Sequence, residues 1–150
     1  MKLELSNQQF RELLKAVVVG VQIRESVGEE REAPGWEKIP DIEKHLLSVA
    51  KDFGAEDMAE WFANTWIPSD EVSDELDEEI EEYNNQEFWD RLYLDLAQRD
   101  FYRTMTKEEK KFISANDGLF PERMHELYRK YTKEFEKHGV GRIEIVEKRK

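Results

Sequence analysis

The chain has 150 residues, a formal net charge of −12 and no cysteine. Its length fits one domain, and with 39% hydrophobic and 11% aromatic residues it is too rich in core-forming side chains to be disordered. The absence of cysteine excludes disulfides, thiol nucleophiles and cysteine-ligated zinc. The acidic balance disfavours direct binding to nucleic acid or to an anionic membrane.

The first helix has a clear start in the sequence. Ser6 and Gln9 have the spacing of a capping box, which predicts a helix from Asn7. Within it, residues 16–23 are apolar on nearly all sides, which is typical of a helix at the centre of a fold or shared between subunits. The sequence therefore favours a homo-oligomer that associates through this helix.

Two more helices are predicted before the acidic part of the chain. After a loop at 28–40, apolar residues at helical spacing predict a helix from Pro40 to Phe53, with Gly54 at its C-cap. A second, shorter helix is predicted to end before Pro68, with one face formed by Met58, Phe62, Thr65 and Trp66.

The next part of the chain is unusually acidic. Between Asp52 and Asp90 there are 15 Asp and Glu and no Lys or Arg, and nine of these carboxylates lie in residues 70–82. Ser69 is predicted to cap an amphipathic helix here, with its charges outward and an apolar stripe formed by Val72, Leu76, Ile80 and Tyr83. Like charges four residues apart each oppose this helix by about 0.2–0.5 kcal/mol. Water, a cation or a basic surface must offset that repulsion.

Further helix starts are predicted downstream. Asn84 with Glu87, and Thr106 with Glu109, have the spacing of capping boxes. A final helix is predicted to begin at Pro121 and to end at His138-Gly139.

The two ends of the chain alternate apolar and charged residues, which suggests a short strand at each end. The apolar positions are Leu3, Leu5, Ile143 and Ile145. The predicted fold is therefore all-α, a single-domain bundle of five to seven helices over residues 1–150, in which the chain termini could pair as a minor two-stranded ribbon.

Aromatic residues concentrate in the middle third of the chain. At helical spacing they are interpreted as core, because aromatics supply a large buried area in a small domain. The alternative is an exposed groove for a partner. The residues concerned are Trp61, Phe62, Trp66, Phe88, Trp89, Tyr93, Phe101 and Tyr102.

The acidic helix favours a protein-binding function. Residues 100–150 hold 13 basic and 10 acidic side chains, so the carboxylates can be neutralised within the chain or by a basic partner. We expect a non-catalytic interaction or regulatory protein that presents an acidic helical face to a basic protein surface. That face consists of Asp70, Glu71, Asp74, Glu75, Asp77, Glu78, Glu81 and Glu82.

A second interpretation comes from a short resemblance. The sequence Glu78-Glu79-x-x-Glu82, followed by Glu87-x-x-Asp90, resembles the EExxE and ExxD elements of the all-α, magnesium-dependent nucleoside triphosphate pyrophosphohydrolases of the MazG and dimeric dUTPase type. In that family the two elements lie on different helices a dozen or more residues apart, whereas four residues separate them here. The resemblance implies a magnesium site formed by these five carboxylates.

The sequence contains no recognisable motif for another kind of catalysis or for a cofactor. There is no phosphate-binding glycine loop and no nucleophile elbow, so no catalytic residue and no cofactor is predicted outside the magnesium alternative. The longest apolar run, residues 16–21, is far shorter than a membrane span, and the first residues do not resemble a signal peptide. A cytoplasmic location is expected.

Overall fold

The computed structural model describes residues 4–31 and 40–144. Within these residues the fold is all-α, as predicted, with five helices and a small two-stranded antiparallel sheet. The chain divides into two compact units, residues 1–83 and 84–150, and each has its own buried cluster. The single domain expected from the length of the chain stays a prediction.

The first unit is built around two helices and a hairpin. In chain order its elements are α1 (Asn7–Arg31), α2 (Pro40–Ser48), 3-10 turns at Ala50–Phe53 and Glu56–Met58, β1 (Ala59–Phe62), β2 (Thr65–Pro68) and the first part of α3 (Asp70–Thr104). Its core includes the buried side chains of Phe10, Leu14, Leu47, Met58 and Leu76.

The capping box at the start of α1 is confirmed. The amide of Ser6 donates to Gln9 Oε1 at 2.9 Å, and the amide of Gln9 donates to Ser6 Oγ at 3.3 Å. The side chain of Asn7 also donates to the carbonyl of Gly54 at 2.7 Å, which joins the start of α1 to the end of the turn after α2. Gly54 has a φ of +65°, so it occupies the left-handed C-cap predicted for it. The helix predicted from Pro40 to Phe53, however, is α-helical only as far as Ser48, and Ala50–Phe53 form a 3-10 turn.

The short helix predicted to end before Pro68 is wrong, because this segment forms the β1–β2 hairpin. Trp61 pairs with Trp66 and Phe62 pairs with Thr65 across the two strands. Between the strands, Ala63 and Asn64 have φ values of 47° and 67°. Positive φ at both central residues is the geometry of a type I′ turn, which matches the twist of a hairpin. The described residues therefore contain a minor two-stranded ribbon, formed by an internal hairpin and not by the chain termini.

The terminal strands predicted from residues 3, 5, 143 and 145 lie largely outside the described residues. Of the four, Leu5 and Ile143 are described, and neither belongs to a strand.

Helix α3 is continuous where two helices were predicted. The expected capping box of Asn84 and Glu87 does not start a new helix. Neither glycine nor proline interrupts residues 70–104, and the neighbouring Asn85 side chain accepts a hydrogen bond from Trp89 Nε1 at 3.1 Å, one turn further along. A capping signal inside a run of helix-forming residues can thus be overridden.

The second unit contains the remainder of α3, α4 (Lys107–Ala115), α5 (Glu122–His138) and a 3-10 turn at Gly139–Arg142. The predicted capping box of α4 is confirmed, since the amide of Glu109 donates to Thr106 Oγ1 at 3.2 Å and Glu109 Oε2 accepts from the amide of Thr106 at 2.8 Å. Pro121 was predicted to be the first residue of the last helix, but α5 begins one residue later, at Glu122. Tyr93, Ala97, Phe101, Met124 and Phe135 are buried.

Candidate interaction surface

The first part of α3 turns its carboxylates to solvent, as predicted. All eight residues of the expected binding face are exposed: Asp70, Glu71, Asp74, Glu75, Asp77, Glu78, Glu81 and Glu82. The opposite side of the helix contributes Val72 and Leu76 to the buried cluster of the first unit. Ile80 is half-buried, whereas Tyr83 is 58% exposed and does not anchor the helix as expected. We refer to the eight carboxylate residues as the acidic face.

In the described part of the first unit, few groups offset the negative charge of the acidic face. Lys15 Nζ lies 2.6 Å from Glu75 Oε1, and this is the one salt bridge to the acidic face among the described residues. Gln22 Nε2 donates to Asp77 Oδ1 at 3.2 Å. The hydrogen bond to Glu75 raises the pKa of Lys15, so this lysine stays charged and holds α1 to α3.

Several arginines of the last third of the chain form ion pairs within the second unit. Arg123 Nε lies 2.5 Å from Glu109 Oε1, and Arg129 Nη2 lies 2.5 Å from Glu122 Oε1. The guanidinium of Arg123 also lies over the ring of Phe101, 4.6 Å from its centroid. These arginines therefore stabilise their own unit by local contacts.

The five carboxylates of the magnesium alternative all lie on α3. Glu78, Glu79 and Glu82 belong to the first unit, whereas Glu87 and Asp90 belong to the second, and all five are exposed. Across residues 4–31 and 40–144, no group of three or more His, Asp and Glu side chains is arranged to hold a metal ion. The pyrophosphohydrolase-like function stays a prediction of the sequence resemblance.

Two features of the structure were not predicted from the sequence. One is a cavity of about 290 Å³ whose apolar lining comes from α1 and α3. Glu43 from α2 and Glu25 from α1 also line it. Burial raises the pKa of the Glu43 carboxyl, and the nearby charge of Glu25 raises it further. No local pattern indicates this pair, because the two residues lie 18 positions apart on different helices.

The other feature is the exposure of aromatic side chains. Trp61 and Phe62 of β1 are exposed, as are Phe88 and Tyr102 of α3, so the prediction that the middle-third aromatics form core is wrong for these four. Trp66 and Trp89 are half-buried, and Tyr93 and Phe101 are buried as expected. The error for Trp61 and Phe62 follows from assigning a helix to a strand, which changes the side-chain period from 3.6 to 2. The aromatic and β-branched residues at 61–62 and 65–67 were the available strand signal, but Ala63-Asn64 between them is not one of the dipeptides typical of a two-residue hairpin turn.

None of the described helices is both long enough and apolar enough to cross a bilayer.

Comparison of the chain with protein-family models, with curated proteins and with solved structures gave no match.

Proposed function

We propose that this protein is a non-catalytic interaction or regulatory protein whose acidic face binds a basic protein. The observation that carries this proposal is the exposure of all eight acidic-face carboxylates on one helix, with a single salt bridge to them among the described residues. A partner surface rich in Lys and Arg is the complement of such an array.

The cost of the acidic face supports the same proposal. Like-charged pairs such as Asp74 with Glu78 and Glu78 with Glu82 lie one turn apart on α3. Each such pair opposes the helix by about 0.2–0.5 kcal/mol. Six pairs of this kind lie within residues 70–82, so their sum is roughly 1–3 kcal/mol. A bound basic surface would remove this repulsion, so part of the binding free energy comes from relief of strain in the free protein.

The experiment is capture of partners from cell lysate by the immobilised protein at low and high ionic strength. The test variant combines Glu71→Gln, Asp74→Asn, Glu78→Gln and Glu82→Gln, which spares Glu75 and Asp77 because they contact α1. We expect basic proteins to be captured at about 0.05 M salt, to be released at about 0.5 M, and to be lost with this variant.

A matched control removes the same number of exposed carboxylates from the second unit. It combines Glu87→Gln, Glu108→Gln, Glu126→Gln and Glu136→Gln. The control has the same net charge as the test variant, so it separates a specific surface from the overall charge of the molecule. Retention of the same partners by the test variant would contradict the proposed function.

A further inference from the structure

The β1–β2 hairpin presents two large aromatic side chains to solvent. Trp61 is 55% exposed and Phe62 is 62% exposed. Trp61 contacts Trp66 on the neighbouring strand, with ring centroids 5.3 Å apart and the rings close to perpendicular. Trp66 in turn packs against the buried cluster of the first unit. The exposed indole is therefore supported by a residue anchored in the core.

The two aromatics lie on opposite faces of the hairpin. Trp61 pairs directly with Trp66, whereas Phe62 pairs with Thr65, and successive residues of a strand point to opposite sides. The tip of the hairpin, between Phe62 and Thr65, is a two-residue turn in which Ala63 and Asn64 have positive φ. Side chains on a short, fixed hairpin lose little freedom on binding, which favours their use as contacts.

The hairpin is joined directly to the acidic face. Ala59 pairs with Pro68 at its base, and the amide of Ser69 donates to the carbonyl of Met58 at 3.0 Å, so α3 begins where the hairpin ends. Asp70 and Glu71 form the first turn of α3, and Glu60 is exposed on β1 itself. Arg11 pairs with Asp57 near this base, but no Lys or Arg occurs in the sequence from residue 52 to residue 90. The segments on both sides of the hairpin therefore carry carboxylates, with no Lys or Arg among them from residue 52 to residue 90.

We propose that the tip of the hairpin, with Trp61 on one face and Phe62 on the other, is the apolar anchor of the acidic face, and that the partner is a basic segment carrying apolar side chains among its Lys and Arg residues. This inference rests on the proposed function. Carboxylates alone attract many cationic surfaces and are screened by salt, whereas a few residues buried on binding, often aromatic, supply most of the affinity at a typical interface. Lysine and arginine also bind the faces of aromatic rings, so the same partner chemistry suits both parts of the surface.

The test uses two synthetic probes and measures binding by isothermal titration calorimetry. The first is a helical peptide of about 14 residues built from Lys and Leu, and the second has every Leu replaced by Ser, so that both carry the same charge. We expect the first peptide to bind about tenfold more tightly. Phe62→Ser and Trp61→Ser, measured separately, are each expected to weaken binding of the Lys–Leu peptide several-fold and to leave the Lys–Ser peptide unchanged.

The controls separate this inference from the proposed function. Leu119→Ser removes a side chain that is also 62% exposed but belongs to the second unit, and it is expected to change neither affinity. Phe62→Ser leaves the Trp61–Trp66 contact in place, so it tests the anchor even where Trp61→Ser disturbs the hairpin.

The aromatic anchor would be overturned if the two peptides bound equally well, or if Phe62→Ser bound the Lys–Leu peptide as tightly as the wild type does. In either case, salt-sensitive binding of the Lys–Ser peptide would still support the acidic face as a binding surface. Failure of the wild-type protein to bind either peptide would overturn both proposals.

Discussion

Glu109 connects the start of α4 to α5 through one carboxylate. It accepts hydrogen bonds from the amide of Thr106 at 2.8 Å and from Arg123 Nε at 2.5 Å. The bonds from Arg123 first, and from Thr106 second, lower the pKa of Glu109 from 4.5 to about 2. Because the folded-state pKa is the lower one, the stabilisation is complete above pH 4.5 and is lost as the pH falls from there toward about 2.

Glu109→Gln is expected to remove this acid-sensitive contribution. The variant should be less stable than the wild type at neutral pH, and its free energy of unfolding should fall less steeply between pH 4.5 and about 2. Urea titrations at several pH values measure both quantities. Glu108→Gln, at the exposed neighbouring position, is the control and should keep the wild-type slope. Equal slopes for Glu109→Gln and the wild type would contradict the assignment.

Local capping signals differ in how well they predict a cap. Ser6 and Thr106 make the bonds expected from their sequence, because each has a Gln or Glu three residues later that returns the hydrogen bond. Ser69 was also expected to cap a helix, yet its hydroxyl is buried and has no hydrogen-bond partner among the described residues. The amide of Ser69 donates a hydrogen bond to the carbonyl of Met58, at the base of the hairpin. A capping residue in the sequence therefore does not ensure that the side-chain cap bond forms.

At the scale of elements, α3 combines a structural face with a repulsive one. Val72 and Leu76 bind it to the core of the first unit, whereas the like charges on its outer side oppose it. Natural proteins often keep such unfavourable features where function requires them. Substitutions that reduce the repulsion on the acidic face should therefore stabilise the protein and weaken its binding to a basic partner.

Glu78→Lys is expected to stabilise the protein. It replaces the repulsions from Asp74 and Glu82 by attractions, which predicts a gain of about 0.5–1 kcal/mol in the free energy of unfolding at low salt. The gain should shrink as salt is added. Urea denaturation measures it. The matched control is Glu75→Lys, which removes the 2.6 Å contact with Lys15 and places two lysines together, so no gain is expected. A loss of stability in Glu78→Lys would show that like-charge repulsion does not govern this part of α3.

At the scale of the whole molecule, α1 carries two apolar sides, in agreement with its sequence. Leu14, Val18 and Val21 are buried in the first unit. On another side, Ile23 is 48% exposed, and Leu13 and Val27 are exposed as well. The predicted homo-oligomer stays a prediction, and this exposed side is the surface through which a second copy would associate.

Sedimentation velocity over a range of protein concentrations tests self-association directly. We expect the sedimentation coefficient to rise with concentration, and Ile23→Lys to reduce that rise because it places a charge in the contact. Leu119→Lys introduces the same charge at an exposed position of the second unit and should leave the association unchanged. A strict monomer at high concentration would remove the prediction.

The sequence by itself determined the all-α class, the starts of α1 and α4, the end of α5 near Gly139 and the outward direction of the acidic face. These features depend on residues within one or two turns of each other, so their spacing in the chain is sufficient. Only the tertiary structure decided that residues 59–68 form a hairpin, that α3 continues past Asn84, and which aromatic side chains are exposed. Those outcomes depend on which distant segments pack together, as when Trp66 packs against the core of the first unit while Trp61, its partner across the hairpin, stays in contact with water.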